Sequence, residues 1–428
     1  MTTPARTGNG AGIGRLGAIP RLGILVFCLI SFGLSARQTL WYLSHNPVYS
    51  DFRIFMTGIA IVKSGHAHEL YQFSVQQIMQ QKLFPGTRVA GLLPFNHLAY
   101  ELLLYWPLFH LPYQAGIAVW ALINLLVIVL IASLLAPYTR TITDWTGIPI
   151  AIYLLAFYPV IYVLGEGQDS LIFLLLIVAS LRCMDREQLF FAGVLLALGC
   201  FKLHLALLMA FFVLLLPRKW KGVAGFAVGS AAMVGLSVLI VGPNLFSDYT
   251  SMLRNQETMT PWGFNPRYMP NLRGLCVWLF ARWLDPGQLL PVVFMASVLV
   301  TVIASWLVIR AKIPRNSGLL YSVAVLTTVL ISYHLHVQDL AMAILPMLLV
   351  VDWALRHQIT SSRYLPVWMI ALTVSIAGLY LYRIAAEPFL ILLFRSCCLA
   401  LPTLLLWIVG FRGFCESRSN IPLNEADW

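Results

Sequence analysis

The sequence predicts an all-α polytopic membrane protein of about twelve transmembrane helices, with interfacial or re-entrant helices in a first and a later outer loop. Three observations carry this. Hydrophobic residues make up 60% of the chain and charged ones 11%, with a mean hydropathy of +0.81; soluble domains are about half apolar and about a quarter charged. Apolar runs near the bilayer-crossing length of about 20 residues recur along the chain. The basic residues fall into alternate connections between those runs.

Taken in order, the candidate crossings are 19–41, 116–136, 148–164, 169–182, 190–201, 203–217, 222–242, 289–310, 317–333, 337–353, 364–381 and 388–410. The stretch 190–217 is too long for one helix and carries Lys202 and His204 in its middle. Two short helices meeting at Lys202 resolve this, with the lysine at the hairpin tip and Arg218–Lys221 at the opposite side. The N-terminal apolar stretch, Leu22 to Ala36, lacks a small-residue cleavage pattern and reads as a retained signal anchor.

Loop charge sets the expected orientation. With the N-terminus inside, Arg6, Arg15, Arg21, Arg140, Arg182, Arg186, Arg218, Lys219, Lys221, Arg310, Lys312, Arg315, Arg356, Arg363, Arg412 and Arg418 are cytoplasmic, sixteen of the 28 basic residues. The others lie mainly in two outer segments, 42–115 and 243–288, long enough for the rule to lose force. Both termini are therefore expected in the cytoplasm. The expected organisation is a tail (1–18), a catalytic transmembrane module with the first outer loop (19–220), a C-terminal transmembrane module (221–411) and a second tail (412–428). Within the outer segments, 52–64 and 70–83 read as short interfacial helices, 98–112 as a re-entrant or interfacial helix carrying Glu101 and Pro107, and 270–284 as another interfacial helix.

The net charge of +11 is this loop bias rather than a nucleic-acid footprint. Seven cysteines, mostly inside apolar runs and without metal-type spacing, read as buried thiols. No P-loop, HExxH or GxSxG pattern is present, which leaves nucleotide-driven transport and the common hydrolase chemistries without their residues.

Ionisable groups at membrane depth mark functional sites by default, and the topology brings several to one membrane face. Asp51, after the first span, is placed to act as a general base toward a hydroxyl, or as the N-cap of the helix that follows. Lys202 and His204 suit a phosphate, or a snorkelling side chain. His334 and His336, near Gln338 and Asp339, suit phosphate or sugar hydrogen bonding; a metal pair is disfavoured because residues i and i+2 point apart. The Gly165-Glu166-Gly167-Gln168-Asp169 turn offers carboxylates and an amide to sugar hydroxyls. Arg254, Arg267 and Arg273 match phosphate oxygens, or anionic lipid.

The order of these motifs resembles glycosyltransferase family 87. The resemblance covers about residues 45–350 and runs through Ser50-Asp51-Phe52, Gly65 with Leu70-Tyr71, and Leu93-Pro94-Phe95-Asn96-His97. It continues with Trp106-Pro107-Leu108, Leu111-Pro112, Ala118-Val119-Trp120 with Asn124, and Tyr158-Pro159. Gly167-Gln168-Asp169-Ser170, Ala192-Gly193 to Phe201-Lys202, and Tyr333-His334 to Asp339 complete it. It implies a glycosyltransferase C type fold and a hexose, mannose first, carried on a polyprenyl phosphate. Transfer would go to a lipid or glycan acceptor, with inversion, on the outer face of the cytoplasmic membrane. It implies Asp51 as the catalytic residue. Lys202, His334, Arg267 and Arg273 are then expected at the donor phosphate, and His97, Gln168, Asp169, His204 and His336 at the sugar or acceptor. No metal or other cofactor and no nucleic acid is expected, and the protein is expected to be a monomer among membrane lipids. The chain departs from the family pattern at 94–97, at Leu203-His204 after Lys202, and at Asp169. A secondary transporter or flippase of lipid-linked sugars is the competing class, disfavoured by the lack of an internal repeat. A non-enzymatic scaffold is the third.

Overall fold

A computed structural model describes residues 16–45, 50–85, 92–258, 266, 269–310 and 317–356. No strand forms among them. The expected crossings 364–381 and 388–410 lie outside the described residues.

The helices are α1 (Ala18–His45), α2 (Phe52–Lys63), α3 (Phe73–Leu83), α4 (Leu102–Tyr105), α5 (Tyr113–Leu135) and α6 (Arg140–Thr146). Then come α7 (Ile150–Ala156), α8 (Tyr158–Glu166), α9 (Ser170–Asp185), α10 (Leu189–Leu198), α11 (Leu203–Ala210) and α12 (Trp220–Val241). The described chain ends with α13 (Leu245–Thr258), α14 (Leu272–Phe280), α15 (Pro286–Arg310), α16 (Ser317–Ile331) and α17 (Ile344–Arg356). By length and composition, Tyr113–Tyr138, Leu189–Leu215, Trp220–Val241 and Pro286–Ile309 can cross a membrane, and Ala18–Leu34 and Ser317–Ile331 are shorter apolar helices. The protein is a helical membrane protein.

The Leu189–Leu215 run reverses at Lys202. As one straight helix it would hold Leu189 and Leu214 roughly 37 Å apart. Instead, a methyl placed on Gly222 would meet the Leu189 carbonyl oxygen at 3.2 Å and Leu214 Cδ2 at 2.7 Å. The break falls where Lys202 leaves helical geometry, with φ −102° and ψ 65°. Helix α12 packs along α10 so closely that a side chain on Gly193 or Gly225 would enter the opposing backbone. The expected 148–164 crossing is likewise divided. Phe157 is extended, and Pro159 in the first turn of α8 supplies no amide to bond back across the break.

The bundle has two distinct ends. At one, Arg21 Nε donates to the Thr146 carbonyl at 2.6 Å, Arg356 Nε donates to Thr141 Oγ1 at 3.1 Å, and the Arg182 guanidinium lies over Tyr138. At the other lie the start of α2, the α8–α9 turn, the Lys202 tip and the turn after α16.

Two expectations for the first long segment change. Helix α2 is packed inside the protein rather than laid on its surface: every residue from Phe52 to Ile61 is buried. Its apolar side chains point all round rather than to one face, and Phe52, Phe55 and Ile59 pack into a cluster with Phe95, Leu102, Tyr105 and Trp120. Residues 99–110 form three short pieces, two of them 3₁₀ turns around α4, with Glu101 buried. The four described cysteines, Cys28, Cys183, Cys200 and Cys276, are free thiols.

Candidate functional site

The site is built around the turn between α8 and α9. Gly167 takes the left-handed conformation (φ 67°), and a side chain there would press within 2.7 Å of Phe52 Cβ. Glycine alone meets both demands at low cost. The carbonyls exposed by the turn are answered from the aromatic cluster. Tyr105 Oη donates to Gly167 O at 3.3 Å, and Trp120 Nε1 donates to Gln168 O at 3.1 Å. Tyr105 stacks on Phe55 at 3.8 Å between ring centres, so the aromatic side chains of α2, α4 and α5 hold the turn from beneath. Buried carbonyls left without donors would cost about 1–3 kcal/mol each.

The turn aims Gln168 at Asp51. Gln168 Nε2 donates to Asp51 Oδ2 at 2.5 Å, and Gln338 Nε2 approaches the same oxygen at 3.4 Å. Asp51 occupies the N-cap position of α2 but its side chain makes no capping bond, so the helix-cap alternative does not describe it. It keeps partial exposure. Burial in the concave site raises its pKa above the ordinary carboxylate value, opposed by the Gln168 hydrogen bond and the nearby His336 and Lys202.

Behind Asp51 lies an ion-paired floor. Lys202 Nζ bonds Asp169 Oδ1 and Asp339 Oδ1, each at 2.9 Å. Ser170 Oγ also donates to Asp339 Oδ1, at 3.1 Å, and the His336 amide donates to Asp339 Oδ2 at 3.0 Å. His204, His334 and His336 stand next to this floor, with ring centres 5.8 Å apart for His204–His334 and 4.5 Å for His334–His336. Burial holds His334 and His336 below the usual imidazole value, so both present neutral rings at pH 7. On the remaining side, His97 Nδ1 lies 2.5 Å from Glu101 Oε2 and 3.6 Å from Asp169 Oδ2. Burial pushes His97 down to about 4. It also drives the Glu101 carboxyl well above its ordinary range, with Asp169 adding to the shift.

Of the residues singled out from sequence, Asp51, His97, Gln168, Asp169, Lys202, His204, His334 and His336 converge here. Arg273 serves the site from outside. Its guanidinium donates to Tyr333 O at 3.0 Å and lies 4.1 Å from the Tyr333 ring centre, bracing the histidine turn. Asn271 helps, with Nδ2 donating to Ser332 O at 2.5 Å. Arg267 lies outside the described residues. The sequence sets Gln338 and Asp339 beside the two histidines without giving either a role, and gives Glu101 none. Glu101 had a usable signal, standing four residues after His97 in an otherwise apolar run.

A carboxylate, fixed amides, imidazoles and a buried lysine thus meet at one end of a helical membrane protein. The sequence model of glycosyltransferase family 87 matches residues 101–332, a little over half of the chain. The chain belongs to that family and is a membrane glycosyltransferase. The matched stretch holds Gln168, Asp169 and Lys202; Asp51 precedes it. No curated protein and no solved structure matches the chain.

Proposed function

We propose that this glycosyltransferase moves a hexose, mannose first, from a polyprenyl phosphate to a hydroxyl of a lipid or glycan acceptor, inverting the anomeric carbon. The observation that carries the reading is Asp51. It is a carboxylate freed from helix capping, held by two amides, partly exposed and poised over a cluster that includes the only described lysine of the hairpin tip.

In this reading the acceptor oxygen attacks the anomeric carbon on the face opposite the phosphate, and Asp51 takes the hydroxyl proton. The bond from the anomeric carbon to the phosphate oxygen breaks, and its electron pair leaves on the phosphate. Lys202 has three N–H donors and spends two on Asp169 and Asp339; the third is available to a phosphate oxygen. The neutral ring of His334 adds an N–H donor, and fixed donors of this kind stabilise developing charge without reorganising. Arg267 is proposed at the phosphate, with Arg273 acting on that side through the His334 turn that it braces. His97, Gln168, Asp169, His204 and His336 orient the sugar and acceptor.

The outer face of the cytoplasmic membrane is the proposed location. Arg21, Arg182 and Arg356 gather at the end opposite the site, and basic residues favour the cytoplasmic side. A glycosyltransferase C type fold of twelve crossings with both termini inside is the corresponding architecture, and the working unit is proposed to be a monomer. A scaffold gives no reason for Asp51, Gln168, Lys202 and the His334 turn to meet. Purified protein given polyprenyl-phosphate mannose and a membrane-lipid extract is expected to transfer sugar, and Asp51→Asn to abolish transfer while still binding donor. Near wild-type transfer by Asp51→Asn removes the base from the scheme. Vesicles that translocate a labelled lipid-linked sugar without any transfer favour the flippase.

A further inference from the structure

The proposed transfer uses Asp51, the amides and the Lys202 floor. It assigns nothing to Glu101, which lies with His97 and Asp169 beside them. Glu101 and Asp169 have fully buried side chains, and His97 is 13% exposed at the edge of the site. Glu101 Oε2 lies 2.5 Å from His97 Nδ1 and the carboxyl hydrogen-bonds Asp169; among the described residues no donor from outside these three reaches it.

We propose that His97, Glu101 and Asp169 form a binding site for one divalent transition-metal ion. One imidazole nitrogen and two carboxylate oxygens lie within 4.8 Å of one another, a mixed donor set suited to Mn²⁺ or Zn²⁺. Three different elements present them: His97 in the extended stretch before α4, Glu101 at the last residue of the 3₁₀ turn, and Asp169 at the start of α9.

Buried charge persists when it is paired or bound to a metal. Lys202 occupies Asp169 Oδ1, while Oδ2 faces His97, so the carboxylate can bridge ammonium and ion.

The surroundings hold the ligands as a metal site requires. His97 is packed edge-on to Phe55, at 5.6 Å between ring centres, and its carbonyl accepts from Tyr71 Oη at 3.0 Å. The backbone two residues earlier is clamped by Gln76, which exchanges hydrogen bonds with both the amide and the carbonyl of Phe95. Such outer contacts fix ligand orientation. Ligand atoms on one tetrahedral ion stand about 3.4 Å apart, so the Glu101 carboxylate must swing outward by about 1 Å from His97, within the range of one χ rotation.

No metal is expected from the sequence, because residues 97, 101 and 169 come together only in the fold.

The full-length protein, purified in detergent, is stripped with a chelator and then titrated with Mn²⁺, reading the unbound ion by electron paramagnetic resonance. One Mn²⁺ per chain is expected, displaced by Zn²⁺. His97→Gln and Glu101→Gln are each expected to weaken Mn²⁺ binding by roughly tenfold or more. The partly exposed His97 variant decides the matter alone where Glu101→Gln fails to fold. Wild-type protein that takes up no stoichiometric Mn²⁺ or Zn²⁺ overturns the site, as does His97→Gln binding Mn²⁺ like wild type. The measurement needs no sugar donor, so its failure leaves the transfer reading intact.

Discussion

Asp51 and the pair Asp169 and Asp339 are all carboxylates in one site, yet their partners differ in kind. Asp51 accepts hydrogen bonds from the neutral amides of Gln168 and Gln338, and remains partly exposed. Asp169 and Asp339 share the Lys202 ammonium and are buried. An amide orients a carboxylate and leaves its charge in place, whereas an ammonium cancels it. The first arrangement suits a group that must accept a proton. The second suits groups that must not, and it locks the hairpin tip to the α9 start and the turn before α17. Chemistry and cohesion are thus divided between carboxylates a few ångströms apart.

The division is tested hardest by Asp51→Asn. Loss of a general base typically costs 10²–10⁴-fold in rate, and the same change should leave thermal unfolding in detergent close to wild type. A large loss of stability would mean that Asp51 belongs with the structural carboxylates. Lys202→Met is the converse. It strands two buried aspartates, and breaking a buried pair costs about 3–5 kcal/mol. Unfolding temperature should therefore fall more for Lys202→Met than for Asp51→Asn. Equal stability of the two variants erases the contrast.

Part of this was readable from the residues. Helix-forming apolar runs, the reversal at Lys202 and the gathering of Asp51, Gln168, Lys202 and the histidines follow from run length and loop charge, because both depend on local composition. Depth of burial was not readable. The segment 52–63 is mostly apolar, with Arg53, Thr57 and Lys63 the polar exceptions, a pattern that serves an interface or a core equally well. Only packing against Phe95, Tyr105 and Trp120, which stand 32 or more positions beyond residue 63, selects the core. The roles of Glu101 and Asp339 were less legible, although Glu101 stands four residues after His97 and Asp339 closes the His334 turn. What makes each a site residue is a partner brought in by the tertiary fold: Asp169 for Glu101 and Lys202 for Asp339.

A smaller effect sharpens the contrast from the side of the amides. Asp51 must be ionised to act, so transfer falls as pH drops through its pKa. Burial places that acid limb above the ordinary carboxylate value of about 3.9. The Gln168 hydrogen bond lowers the pKa. Gln168→Leu removes that contribution, so the acid limb of kcat/KM should move to higher pH, with the rate at alkaline pH reduced less than at neutral pH. An unmoved limb would show that Gln168 does not hold Asp51 in the working enzyme.

The smallest expected change lies one step further out. Trp120 touches neither Asp51 nor the floor, but its indole N–H secures the Gln168 carbonyl. Trp120→Phe keeps the ring in the aromatic cluster and deletes one hydrogen bond, worth about 1 kcal/mol. Were Trp120 only packing, stability would fall slightly and the pH profile would keep its shape. As a positioning residue it should also loosen Gln168, so the acid limb should shift in the direction seen for Gln168→Leu, by less. In the Gln168→Leu background the same substitution should then shift nothing further. That non-additivity separates a role in aiming the amide from a role in filling space, since independent sites add and coupled ones do not.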